Sequence, residues 1–144
     1  MKHSFQAIAL TLTLAGGWLF ASAPVALAAE VAEKTVIPAT TEGVWQAIDG
    51  KSAELKRTID SGALKEVHHQ AFAIRDLVRA LPTHSPSLTP EALTEIRRES
   101  KFVDTLAERL DQTGDANDKP GTEANLQKLE GVLKLLRAQY PGPK

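Results

Sequence analysis

Apolar residues recur at helical spacing along much of the chain, and the clearest example lies between residues 62 and 81. Its apolar positions follow one another at intervals of three and four residues, at Leu64, Val67, Ala71, Ile74, Val78 and Leu81. Such spacing places one stripe along one side of an α-helix, whereas a half-buried strand would alternate at every second residue. We therefore predict a helix that packs against neighbours and is ended by Pro82.

Three other segments carry the same kind of stripe. We predict helices over about residues 42–60, 90–113 and 120–140, with Thr41 and Thr89 as N-caps of the first two. In chain order, the stripe positions of these helices are Val44, Ile48, Leu55, Ile59, Leu93, Ile96, Val103, Ala107, Leu110, Leu126, Leu129, Leu133, Leu136 and Tyr140. No stretch of the sequence has the alternation typical of a strand, so we predict an all-α protein.

The connections between the predicted helices are short, and the longest is a Pro-rich linker over residues 82–88. Short connections favour antiparallel neighbours. We therefore predict an antiparallel up-down-up-down four-helix bundle over residues 42–140. A flexible lead-in over residues 29–41 precedes it, and a tail over residues 141–144 follows it.

Residues 1–28 have the layout of a secretory signal peptide. A basic start at Lys2 leads into an apolar stretch that ends in Ala26-Leu27-Ala28, an A-x-A cleavage pattern. The alternative is a membrane anchor, which needs about 20 uninterrupted apolar residues, but Pro24 interrupts the stretch too soon. We expect Sec-dependent export to a bacterial periplasm, cleavage after residue 28 and no stable membrane insertion afterwards.

The composition of the exported chain limits the partners and metal ligands that it can have. The full sequence has 17 Lys+Arg, 18 Asp+Glu and no Cys. Cleavage removes Lys2 and the single Met, leaving 16 basic against 18 acidic residues and a net charge of −2. That balance argues against a nucleic-acid-binding protein, which needs a basic surplus. The exported chain therefore has no Cys or Met side chain to bind a metal through sulfur. Its histidines, which can bind through nitrogen, are His68, His69 and His84.

Glu66 and His69 form an E-x-x-H motif, in which the two side chains lie one helical turn apart. This spacing can place a carboxylate and an imidazole around one Zn, Cu or Ni ion, with His68 or His84 as a further ligand. Because neighbouring helical residues project about 100° apart, we do not expect His68 and His69 to chelate one ion from one face. The alternative is that these residues belong to a solvated helix face.

The remaining polar residues form no recognisable catalytic motif. Neither a nucleophilic Ser/His/Asp set nor a Gly-rich phosphate loop is present in the sequence, so we expect a non-enzymatic protein. Glu91, Glu95 and Glu99 form an acidic ladder with a spacing of four residues. We expect this ladder to be a solvated face with Arg97 and Arg98 nearby.

Three aromatic residues flank the apolar stripes rather than continue them: Trp45, Phe72 and Phe102. Phe72 and Phe102 each lie about 120° from their stripe on a helical wheel. Either the buried sector is wider than the stripes, or these rings form a surface patch. Such a patch would bind a partner such as another envelope protein, a second copy of the chain or a small ligand.

The segment over residues 42–140 resembles the soluble periplasmic b-type cytochromes and their c-prime relatives. The resemblance is one of architecture, with a tight first turn, a Pro-rich middle linker and a last helix that ends in Leu135-Leu136-Arg137-Ala138-Gln139-Tyr140. It implies a bundle fold and a periplasmic location. The b-type family holds haem with a Met of the first helix and a His near the end of the last. Here the first helix has no Met, and Tyr140 stands near the end of the last helix.

The c-prime family attaches haem through C-x-x-C-H, and this chain has no Cys. We therefore do not expect haem or electron transfer. Two functional hypotheses follow. The first is a periplasmic metal-binding accessory or buffer protein, and the alternative is a haem-free interaction module that binds another envelope protein through a helix face.

Overall fold

Four α-helices make up most of residues 34–140, the part of the chain that the computed structural model describes. The helices are α1 (Thr41–Asp60), α2 (Val67–Ala80), α3 (Pro90–Asp115) and α4 (Lys119–Arg137), and a short 3₁₀ turn at Leu64–Glu66 precedes α2. This range contains no strand, so the prediction of an all-α protein is confirmed. None of its helices is long and apolar enough to cross a membrane. The predicted signal peptide and tail lie outside the described residues.

The stripes predicted from the sequence meet in one core. Helix α2 packs against α1 and α3, and α3 packs against α4, whereas α1 and α4 contact each other less extensively. The largest fully buried side chains include Ile48, Leu55, Ile59, Ile74, Leu77, Leu81, Ile96, Leu110, Leu129 and Leu136. Burial of one such side chain contributes about 1.5–3 kcal/mol, so this core is the main source of stability.

The N-cap of α1 is Thr40 rather than the predicted Thr41. The Thr40 backbone is extended, and its side-chain oxygen accepts a hydrogen bond from the Gly43 amide at 3.1 Å. Thr41 is the first helical residue, and its hydroxyl donates to the carbonyl of His84. Two adjacent threonines offer the same capping chemistry, so tertiary contacts with the 82–88 linker decide which of them serves as the cap.

Helix α3 begins where the sequence predicts, and α4 begins on a similar cap. The Thr89 side chain accepts from the Ala92 amide at 3.2 Å, and the Asp118 side chain accepts from the Gly121 amide at 3.0 Å. Each cap satisfies one amide of a first helical turn, which contributes about 1 kcal/mol.

The second predicted helix starts later than the stripe suggests. The segment begins with the 3₁₀ turn, and regular α-helix starts at Val67. Gly62 has a φ of +80°, which a residue with a side chain rarely adopts. This conformation lets the Gly62 amide donate to the Ile59 carbonyl at 3.0 Å and the Ala63 amide donate to the Thr58 carbonyl at 3.1 Å. The chain thus closes the end of α1 before α2 can begin.

Gly114 lies inside the last turn of α3 and does not end the helix at residue 113 as predicted. It is buried against the start of the second helical segment. A Cβ atom at this position would lie 2.6 Å from Val67 Cγ2 and closer still to the Leu64 carbonyl oxygen. Because the second contact is with backbone, no rotamer change can relieve it. Only glycine lets α3 approach the 3₁₀ turn this closely.

The close approach predicts that Gly114→Ala lowers the free energy of unfolding by about 1–3 kcal/mol, as overpacking in a core does. Gly50→Ala is the matched control, because a Cβ at Gly50 would meet nothing within 4 Å. The control should raise the free energy of unfolding by about 0.5–1 kcal/mol, since alanine is favoured over glycine inside a helix. Urea titration measures both values, and equal effects of the two substitutions would contradict the close packing.

Candidate functional site

The E-x-x-H residues lie where the 3₁₀ turn passes into α2. Glu66 is the last residue of the turn, and His69 lies in the first turn of the helix. The Glu66 Oε2 atom is 3.4 Å from His69 Nε2. The Glu66 side chain is 62% exposed and the His69 side chain 43% exposed, so the pair lies at the surface.

His68 lies closer to His69 than its helical position suggests. The centroids of the two imidazole rings are 3.9 Å apart, and the ring planes are inclined by 42°. The two rings therefore meet although their Cα–Cβ bonds project about 100° apart. A separation of about 100° between neighbouring residues describes the Cα–Cβ directions, and rotation about the side-chain bonds can still bring the rings together.

A backbone carbonyl fixes the orientation of the His68 ring. His68 Nδ1 is 2.7 Å from the carbonyl oxygen of Lys65. A carbonyl oxygen can only accept, so Nδ1 donates the proton. In the neutral imidazole the lone pair is then on Nε2. The sequence did not indicate Lys65 as a partner of His68, although the two residues are one turn apart. The interaction uses the backbone of Lys65, which no residue type reveals.

His84 lies away from the other candidate ligands. Its Nδ1 atom is 3.2 Å from the carbonyl oxygen of Ala39, and its own carbonyl accepts from the hydroxyl of Thr41. It follows the C-terminal end of α2, whereas His68 and His69 lie at the start of this 14-residue helix. Fourteen residues span about 20 Å, so His84 does not share an ion with Glu66 and His69.

Glu66 and His69 form an exposed pair of candidate ligands and not a complete metal site. Within residues 34–140, no three His, Asp or Glu side chains are already grouped so that they could hold a metal ion. Glu66 and His69 supply one carboxylate oxygen and one imidazole nitrogen. Both side chains are exposed, and the ring of His68 lies beside that of His69.

The three aromatic candidates lie in different environments. Trp45 is only 6% exposed and belongs to the core, where it meets Tyr140 edge-on with a centroid distance of 5.4 Å. Phe72 is partly buried, and the Arg75 guanidinium lies 4.6 Å from its ring centroid. Phe102 is 53% exposed. The structure therefore brings no two of these rings together at one surface, and Phe102 has by far the most surface to offer a partner.

Tyr140 anchors the segment after α4 at the position where the resemblance to b-type cytochromes would place a histidine. Its hydroxyl is 3.0 Å from the Ser85 hydroxyl, and Ser85 is buried. The Arg137 guanidinium lies 4.2 Å from the Trp45 ring centroid and also pairs with Asp49 of α1. These contacts bind the end of α4 to α1 and to the 82–88 linker.

The acidic ladder of α3 is only partly solvated. Glu91 is exposed, but Glu99 is only 8% exposed. Arg98 Nη2 lies 2.5 Å from Glu95 Oε2 and 3.1 Å from Glu99 Oε1. The expectation of a solvated face is therefore wrong for Glu99, because this position turns toward the core. Arg98 compensates for the burial of its charge.

Comparison with known proteins assigns no family or function to the chain. No protein-family model matches the chain, and neither a curated protein nor a solved structure matches it.

The setting of Tyr140 predicts a loss of stability at alkaline pH. Burial raises the pKa of its hydroxyl, and the hydrogen bond with Ser85 opposes only part of that rise. An unfolded tyrosine ionises near about pH 10. The folded chain therefore keeps a proton that the unfolded chain releases, and this contribution to stability is lost as the pH rises from about 10 through the pKa of the folded state.

The sequence has a single tyrosine, so ultraviolet titration of the phenolate band reports the ionisation of Tyr140 alone. We expect a midpoint above that of free tyrosine, and a midpoint at or below it would contradict the burial. The Tyr140→Phe variant should lose stability less steeply with pH above about pH 10, because its ring has no proton to release.

Proposed function

We propose that the protein is an exported, non-enzymatic binding protein that holds a divalent transition-metal ion at Glu66, His68 and His69. In this proposal it serves as a metal buffer or accessory factor in the periplasm. Residues 1–28 direct export and are removed, and the four helices form an antiparallel up-down-up-down bundle that carries the site on its surface.

The observation that supports the metal most directly is the distance between Glu66 and His69. Zinc bonds to oxygen and nitrogen are about 2.0–2.1 Å long, and a tetrahedral angle between two such bonds separates the ligand atoms by about 3.3 Å. The measured separation of Oε2 and Nε2 is 3.4 Å. A direct charge-assisted hydrogen bond would be shorter, at about 2.7–2.9 Å. The pair is therefore spaced as two ligands of one ion are.

The orientation of His68 supports its role as a third ligand. Metal-binding histidines usually donate from the other ring nitrogen to a carbonyl or carboxylate, which fixes the tautomer and increases the basicity of the ligand atom. The Lys65 carbonyl at 2.7 Å from Nδ1 provides this partner. In this proposal Nε2 of His68 is the third ligand atom beside Glu66 and His69, with water in the remaining position.

The kind of ligand selects the class of metal. Two imidazoles and one carboxylate, without thiolate, suit Zn(II), Cu(II) or Ni(II), whereas Mg(II) and Ca(II) prefer oxygen ligands alone. The exposure of Glu66 and His69 leaves a bound ion open to solvent. An open site exchanges its ion readily, which suits a buffer or an accessory factor better than a structural metal site.

Isothermal titration of the mature protein with Zn(II), Cu(II) and Ni(II) tests the proposal. We expect at least one ion to bind more tightly than about 10 μM, which corresponds to about 7 kcal/mol of binding free energy. The His68→Ala/His69→Ala variant should lose this binding, and the matched control His84→Ala should keep it.

Two results would contradict the proposal. One is a wild-type protein to which none of the three ions binds more tightly than about 10 μM. The other is a double variant that binds as well as the wild type, because the ion would then have other ligands.

A further inference from the structure

The outer side of α3 carries a second stripe that the core does not use. Its positions follow intervals of four and three residues along the helix, at Glu91, Glu95, Arg98, Phe102, Thr105 and Arg109. Glu95 is half-buried, and the other five are exposed. Residues at this spacing lie on one face of a helix. Helix α3 therefore presents one face to the core and a second continuous face to solvent.

The edge of α4 extends this outer face. The Thr122 hydroxyl lies 3.0 Å from that of Thr113, and the Asn125 amide nitrogen lies 3.4 Å from the carbonyl oxygen of Arg109. Continued over two turns, this register places Phe102 beside Val132 and within one turn of Leu135. Leu135 is 57% exposed, and Phe102 is 53% exposed. The two largest exposed apolar side chains of the helices thus lie on the same side of the bundle.

The outer edge of α4 offers little steric obstruction to a neighbour. Ala124, Gly131 and Ala138 recur there at intervals of seven residues, and all three are exposed. A Cβ atom at Gly131 would meet nothing within 4 Å. The outward side of α4 is therefore open around Gly131, one turn before Leu135.

The charges on the outer stripe of α3 are arranged symmetrically about Phe102. Glu95 precedes Phe102 by seven residues, and Arg109 follows it by seven. A second α3 laid antiparallel across the first, with its Phe102 at the same point, would place each Glu95 opposite Arg109 of the other copy. An interface of this kind pairs residue i with j and j with i, as a two-fold axis requires.

We propose that the protein forms a two-fold symmetric homodimer through the outer face of α3, with Phe102 at the axis and Glu95–Arg109 ion pairs on both sides. Apolar contact between the rings, with Leu135 beside them, provides the centre of the interface. Each Glu95 already contacts Arg98 of its own chain, so the dimer adds a second cation to an existing pair. The Glu95–Arg109 pairs form only when the two α3 helices run antiparallel, so they also fix the relative direction of the helices.

The available area suits a dimer of moderate size. Helix α3 has 26 residues, which corresponds to a length of about 39 Å. Helix α4 has 19 residues, or about 28 Å, so the two helices side by side present a face of about 700 Å². Stable interfaces bury about 800 Å² on each partner. A second copy can therefore cover most of this face.

Sedimentation equilibrium of the mature protein in EDTA tests the proposal, because the chelator excludes dimers bridged by a metal ion. We expect a concentration-dependent dimer in the wild type and a monomer for Phe102→Ser. The single variants Glu95→Arg and Arg109→Glu should each weaken dimerisation at least tenfold. In an Arg98→Ala background, which removes the cation that an arginine at position 95 would face on its own helix, the double exchange Glu95→Arg/Arg109→Glu should restore the affinity to within about threefold of that background, since the pairs are re-formed with their signs reversed.

Lys101→Glu is the matched control, because Lys101 is an exposed cation of α3 outside the outer stripe, and it should leave the dimer unchanged. Circular dichroism checks that each variant keeps its helices. If the double exchange does not fold, Phe102→Ser and the control decide the matter by themselves. A wild type that stays monomeric at every concentration overturns the proposal, as does a Phe102→Ser variant that dimerises like the wild type. A double exchange that folds without restoring the dimer also overturns it.

Discussion

The close approach of α3 to the 3₁₀ turn determines where α2 begins and therefore where the candidate ligands lie. A Cβ atom at position 114 would overlap the backbone carbonyl of Leu64. This contact holds the turn while Gly62 closes α1 just before it. Glu66 then ends the turn, and His68 and His69 enter the first turn of α2. A bulkier residue at position 114 would move the segment that carries all three.

The pattern of apolar residues was sufficient to predict the four helices, because each buries one stripe at a period close to 3.6 residues. It could not predict which neighbour covers the edge of a stripe. Glu99 is an example: its spacing from Glu91 and Glu95 suggests one solvated face, yet Glu99 is buried and the others are not. Trp45 is a second example, because it is buried and its ring meets Tyr140, at the far end of the described chain.

The candidate site was predictable in part. The E-x-x-H spacing alone indicates that Glu66 and His69 are neighbours, since residues three apart meet on a helix. The closeness of the His68 and His69 rings depends on side-chain rotation, about which sequence spacing carries no information. The partner of His68 is a backbone carbonyl, which every residue has, so no residue type marks it. The separation of His84, by contrast, follows from the length of α2 and needed only the helix boundaries.

The proposed function requires that Glu66, His68 and His69 together hold a transition-metal ion while His84 does not. Titration of the ¹⁵N-labelled mature protein with Zn(II), followed by NMR of the imidazole nitrogens, tests it most directly. We expect the Nε2 resonances of His68 and His69 to shift together with added zinc and those of His84 to stay in place. Imidazole resonances that remain unchanged at saturating zinc, or a shift of His84 as large as that of His69, would contradict it.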